Sequence, residues 1–188
     1  MTYRTLRDPI VRLLGSLVVL AVALTAAHAR DVQPNEMAAL ETRIADFENA
    51  IRANDFEGTI AVVPPPMLEA IAQTANVSVD QLKAAIAEQM ASMQGSIEFE
   101  SFGMALDEAT EAELPDGNPY LLIPTQSVIN IPDVGTMTSD THTLAFQDAG
   151  EWYLVRIEDQ NQIDILRQVY PGFADVEFPE SNTSMAVE

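Results

Sequence analysis

Met37, Leu40, Ile44, Phe47 and Ile51 are spaced 3, 4, 3, 4, the single apolar stripe of an amphipathic helix. That spacing predicts a helix over 36–53, with Asn35 as its cap and Asn54 and Gly58 bracketing its end. "GTIAVV" (58–63) reads as a short extended piece, and the proline run 64–66 forbids helix until its last member. A second helix follows over 66–74, with Met67, Leu68, Ile71 and Ala72 apolar. Ser78 and Gln81 have the form of a capping box for a third, whose stripe Val79, Leu82, Ile86, Met90 and Met93 is expected to be buried, and Gly95 ends it.

From Ser96 the period changes from helical to alternating. "IEFESFGM" (97–104) reads as a strand, and 107–119 as an exposed hairpin connection closed by an Asp-Gly turn. Its acidic residues do not fit the spacing of a calcium loop. Residues 120–131 form a long strand in which Pro124 implies a bend or an edge. Residues 137–147 and 151–158 make a hairpin around "DAG", and a final helix over 160–169 places Ile163, Leu166, Val169 and Tyr170 on one side. Helices first, then a meander of about four antiparallel strands, then one helix is an α+β order in a single domain, 30–174, with an acidic tail at 175–188 expected to be loose. Both faces of 120–123 and of 151–158 are apolar. One face should therefore pack on the first three helices, and the other must be covered by the last helix or by a second copy in a homodimer.

Residues 1–29 combine Arg4, Arg7 and Arg12, a 15-residue apolar or small run from Leu13 to Ala27, and "AHA" at 27–29. This is the order of a secretory signal peptide cleaved after Ala29, and the run is shorter than a bilayer-spanning helix needs. The competing expectation is a leader retained as an anchor. Export places the chain in a bacterial periplasm or outside the cell, with no membrane attachment after cleavage. The leader carries three arginines and one aspartate, so 30–188 keeps 6 basic and 28 acidic residues, a net charge of −22. Such a surface repels nucleic acid and anionic lipid. "IAQTANVSVDQLKAAI" (71–86) has the outline of a DNA-reading helix-turn-helix, yet Lys83 is its one base. The absence of cysteine removes disulfides, thiolate catalysis and cysteine-based metal sites. Asn76 and Asn182 begin tripeptides of the glycosylation type, which bacterial export makes chance matches.

The long first helix leading into "NDFEG" (54–58), the further helices, the meander and the last strand "GEWYLVRI" (150–157) resemble the nuclear transport factor 2-like superfamily over about 36–158. The resemblance implies a curved, cone-shaped sheet, often dimerised through the sheet. Two features depart from it, the proline run after the first helix and the helix after the last strand. The superfamily includes ketosteroid isomerases, polyketide cyclases, dehydratases and many binding proteins, so it does not choose a function. Its enzymes use an Asp or an Asp–His pair in the cone, often with a Tyr donor.

His142 is the one histidine after cleavage, so a multi-histidine metal site is excluded. Asp140 and His142 share a strand face and are the weak catalytic candidates; a strand-end Asp beside a surface or half-buried His is the plainer reading. Arg156 shares a face with Trp152 and Leu154. Arg156, Trp152 and Tyr120 are the ligand-binding candidates, and pairing of Arg156 with a carboxylate is the better expectation. No cofactor or metal is implied. The leading expectation is an exported, non-catalytic protein that binds a small apolar ligand or an envelope protein partner. The alternative is an isomerase-, cyclase- or dehydratase-type enzyme with an Asp or His142 as base and Tyr120 or Tyr153 as donor. A cone filled by Leu, Phe and Met favours the first.

Overall fold

Two long neighbouring strands, β3 (Pro119–Ile131) and β4 (Gly135–Asp148), form the spine of the protein and pair along their full length from Tyr120–Phe146 to Ile131–Gly135. The structure, a computed structural model, describes residues 31–93 and 98–186. The expected signal peptide with its cleavage at Ala29, the helix stop at Gly95 and the strand start at Ile97 lie outside these. Before the spine come α1 (Pro34–Ala53), α2 (Phe56–Ile60), α3 (Pro65–Thr74), α4 (Val79–Met93), β1 (Glu98–Met104) and β2 (Thr110–Glu113). After it come β5 (Glu151–Ile157), α5 (Gln160–Val169) and β6 (Asn182–Ala186). The class is α+β, with the antiparallel sheet curled into a half-barrel.

Each outer lane of the sheet is shared by two short strands. β1 and β2 lie along β3, while β5 and β6 lie along β4. Pro124 is therefore in a central strand, not at an edge. β2 reaches Leu122 and β1 reaches Thr125, so the two leave a gap opposite Pro124. The Pro124 carbonyl accepts from Ala105 N–H at 2.9 Å on that side. In an antiparallel ladder a residue's N–H and C=O point the same way, so the proline's missing donor falls in the gap.

The apolar residues of 120–123 and of β5 are covered from within the chain on both sheet faces. On one face Leu40 and Ile44 of α1, with Val62, meet Leu121, Ile123, Ala145, Trp152 and Leu154. On the other, Leu166 of α5 and Phe173 meet Tyr120, Leu122, Leu144, Phe146, Val155 and Ile157. The helices are divided differently from expectation, because α3 crosses over: its Met67 joins the α5 side. The crossing runs round the outer edge of β5. There Val62 C=O accepts Leu154 N–H at 2.8 Å, and Arg43 donates to Trp152 O (3.1 Å) and Ala61 O (2.6 Å). An exposed strand edge is thereby closed.

Local differences from the sequence pattern have physical causes. α1 starts at Pro34, with the Glu36 carboxylate accepting from Gln33 N–H at 2.9 Å, so Asn35 lies inside the helix and is not its cap. "FEGTI" is helical, not extended: Asp55 accepts from Gly58 N–H, and Gly58 lies so close to α1 that a Cβ there would sit 2.8 Å from Ala50 Cβ. The Ser78–Gln81 capping box is present in both directions, at 2.9 and 3.2 Å. The α4 stripe, however, is only half-buried at Val79, Leu82 and Ile86, and Met90 is exposed, because α4 rests mainly on α3 and has no sheet beneath it.

The connection 107–119 holds β2, and the described tail residues 176–186 make contacts with the body. Arg167 of α5 donates to Phe173 O and Val176 O and stacks over Phe178 at 5.8 Å; Ser181 donates to Ile157 O. Apolar Val176 and Phe178 pack on the core and lead the chain to β6. The β4–β5 turn puts Ala149 at φ 51° and Gly150 at φ 85°. Two left-handed residues suit a tight hairpin, but alanine bears a steric cost there that asparagine relieves. Ala149→Asn should raise stability by about 0.5–1 kcal/mol in urea unfolding, with an unchanged m-value.

Candidate functional site

Along β3 the side chains alternate between the two faces, and this separates the candidate residues. Odd-numbered positions of β3 and β4 face α1, whereas Tyr120, Pro124, Gln126, Asp140 and His142 face the other way, with Pro124 opposite His142 and Gln126 opposite Asp140. Trp152 and Arg156 share the α1 face, as their spacing implies, while Tyr120 stands on the α5 face. The three ligand-binding candidates therefore do not line one site.

Trp152 is a structural anchor. It is buried, and its Nε1–H donates to Glu36 O at 2.9 Å, which ties the start of α1 to β5. Arg156 donates from Nε to Thr141 Oγ1 (3.2 Å) and from Nη2 to Ser127 Oγ (3.0 Å), and forms an ion pair with Glu158 at 2.9 Å. Its guanidinium lies 5.9 Å from the Phe102 ring centroid. The expected carboxylate partner is thus present. Beside it Thr125 and Thr143 exchange a hydrogen bond of 2.8 Å, and Thr125 also donates to Ile123 O. This run of threonines lets the α1 face change from apolar to polar beyond Ile123 without leaving its hydroxyls unpaired.

His142 and Asp140 line one open cleft of ≈ 540 Å³ on the opposite side, together with Pro124, Gln126, Glu108 of the β1–β2 connection and Glu180 and Asn182 of the tail. Asp140 accepts from Gln126 Nε2 at 2.8 Å. His142 Nδ1 is fully enclosed and has no hydrogen-bond partner among the described residues. Burial lowers the His142 pKa from 6.5, so the imidazole is neutral at pH 7. Tyr120 pairs with Phe146, four residues along the strands from the Pro124–His142 pair, a distance of about 13 Å at the usual rise. Its ring packs edge-on against Phe173 and burial raises its pKa. Tyr153 also belongs to the aromatic cluster around Phe146. Neither tyrosine lines the His142 cleft. A third phenol, Tyr170, donates to Asp148 at 2.8 Å, and burial and that carboxylate raise its pKa; it locks the end of α5 to the hairpin.

Among the described residues no group of three or more His, Asp or Glu side chains is placed to hold a metal ion. No family model matches the chain, and neither a curated protein nor a solved structure matches it.

Sequence reasoning found Asp140 and His142 but missed Gln126, Glu108, Glu180 and Asn182 around them. Gln126 carried a legible signal, since it follows Pro124 at strand spacing. The other three reach the cleft through a connection and a tail that have no period.

His142 gives a pH dependence of known sign. Its folded pKa lies below the unfolded value of 6.5, so the unfolded chain takes up the proton first. The contribution of neutral His142 is present above pH 6.5 and is lost as pH falls from there toward the lower folded value. His142→Gln should flatten the decline in melting temperature between neutral and mildly acidic pH; an equally steep decline in both proteins would show that other groups cause it.

Proposed function

We propose that this protein is exported to the bacterial periplasm or beyond and acts there without catalysis, by binding a protein partner through its α+β domain. The domain is proposed to be of nuclear transport factor 2-like shape. The supporting observation is the filled interior. Between α1 and the sheet, where a cone would receive a small molecule, the chain places its own Leu40, Ile44, Leu121, Ile123, Trp152 and Leu154, all buried. Beyond them Thr125, Thr143, Thr141 and Arg156 satisfy one another. A small apolar ligand therefore competes with side chains that are already packed, and the clefts lined by His142 or by α2 and α4 are open to solvent.

One observation favours the enzymatic alternative: His142 and Asp140 do share a cleft. Against it, no tyrosine lines that cleft among the described residues, and Asp140 is bonded to Gln126 and not to His142.

Native mass spectrometry of the protein recovered from an exporting cell separates these readings. The expected species has the mass of residues 30–188 and retains protein but no small molecule. A mass that includes residues 1–29 overturns cleavage, and a tightly held apolar small molecule overturns the choice of a protein partner.

A further inference from the structure

On the α1 face, past the end of that helix, the sheet carries an apolar row that the helix layer does not reach. Phe99 of β1 stands opposite Ile129 of β3, Ile129 opposite Met137 of β4, and Met137 opposite Met185 of β6. Directly opposed residues project to the same face, so the four side chains form one line across all four lanes, about 14 Å long at ordinary strand spacing. Phe99 is 48% exposed and Met185 52% exposed, while Ile129 and Met137 are half-buried. A cleft of ≈ 490 Å³ separates Phe99 from Ile51 and Arg52 at the C-terminal end of α1. Glu100 sits at the β1 bulge next to Phe99, Glu98 and Glu100 line that cleft, and Asp133 lies in the β3–β4 turn.

We propose that this row is the docking surface for a basic amphipathic helix of the protein partner, which would lie across the strands beside the end of α1. The proposal rests on the partner-binding reading above and adds its surface and chemistry. Charge complementarity selects the occupant. Residues 30–188 carry 28 acidic and 6 basic side chains. The nearby cations are already engaged, Arg52 with Glu48 and Asn49 and Arg156 with Glu158. A second copy would bring the same acidic side chains against these, and an anionic bilayer would be repelled. A basic helix is attracted over long range, and its apolar positions at i, i+3/i+4 and i+7 stand about 5–6 Å apart, close to the spacing of the row. α1 already packs on the same face through such a stripe, Leu40, Ile44 and Phe47.

The test is fluorescence anisotropy of residues 30–188 with a labelled Leu/Lys peptide of helical periodicity at physiological ionic strength. Its comparator is a peptide of identical composition with the periodicity scrambled. The periodic peptide should bind more tightly, and the Phe99→Ser/Met185→Ser double variant should weaken it by about tenfold or more. Val77→Ser, at an exposed apolar residue before α4, should leave binding unchanged. Equal binding of the scrambled peptide, or by the double variant, would reduce the effect to general attraction of opposite charges and overturn the surface, while leaving a partner elsewhere on the protein open. A photo-crosslinking derivative of the peptide must label the row in the unaltered protein, independently of whether the variants fold; labels elsewhere overturn the assignment. A dimer in sedimentation that Phe99→Ser converts to monomer would give the face to a second copy and likewise overturn it.

Discussion

A sheet that is apolar on both faces must be covered on both, and most of this architecture follows from that requirement. Leu121 and Ile123 point one way, Tyr120 and Leu122 the other, and all are buried. An antiparallel sheet commonly leaves one face to water; this one cannot. With no disulfide available, the covering layers must hold by packing. The chain meets the requirement alone, with α1 on one face and α5 with α3 on the other. That arrangement forces a crossing round the sheet, and the crossing closes the β5 edge through Val62 and Arg43.

The scarce cations take structural posts in this scheme. Arg43 clamps the crossing, Arg167 holds the turn after α5 to the tail, Arg156 joins two hydroxyls of the sheet to Glu158, and Arg52 stays within α1. Each arginine bonded to a main-chain carbonyl neutralises nothing on the surface, so the exterior keeps its acidic character. The polarity of the outside is thus coupled to the construction of the inside. A protein built this way meets basic partners readily and anionic ones poorly.

The coverage is incomplete at one end. α1 stops at Ala53, while β3 and β4 continue past it and are joined by β1 and β6. Over the covered part, Trp152 Nε1 and the threonine hydroxyls find partners; over the uncovered part, the sheet presents Phe99 and Met185 to solvent. Single exposed apolar residues are ordinary, but an apolar line across every lane of a sheet, half-buried in the middle and exposed at both ends, is not.

Much of the fold was legible in the sequence because it depends on local period. The stripe Met37–Leu40–Ile44–Phe47, the Ser78–Gln81 cap and the alternation in 151–157 each state their element without reference to the rest of the chain. The two apolar faces were legible too, and so was the need for a cover. What tertiary structure decided is register and side. Whether Tyr120 and Arg156 share a face depends on how β3 and β5 align through β4, and no local pattern encodes that alignment. Pro124 suits a central strand only because β1 and β2 leave a gap opposite it. Tail residues 176–186 carry too short an apolar signal to reveal that Phe178 meets the core or that β6 pairs with β4. The sequence by itself determined the longer elements, though not α2, β2 or β6, and the charge of the surface, since both are sums over neighbouring residues. That His142 and Glu180 line one cleft, and that Phe99 and Met185 fall in one row across the sheet, was settled by the folded chain alone, because distant segments come together only once the sheet has fixed their register.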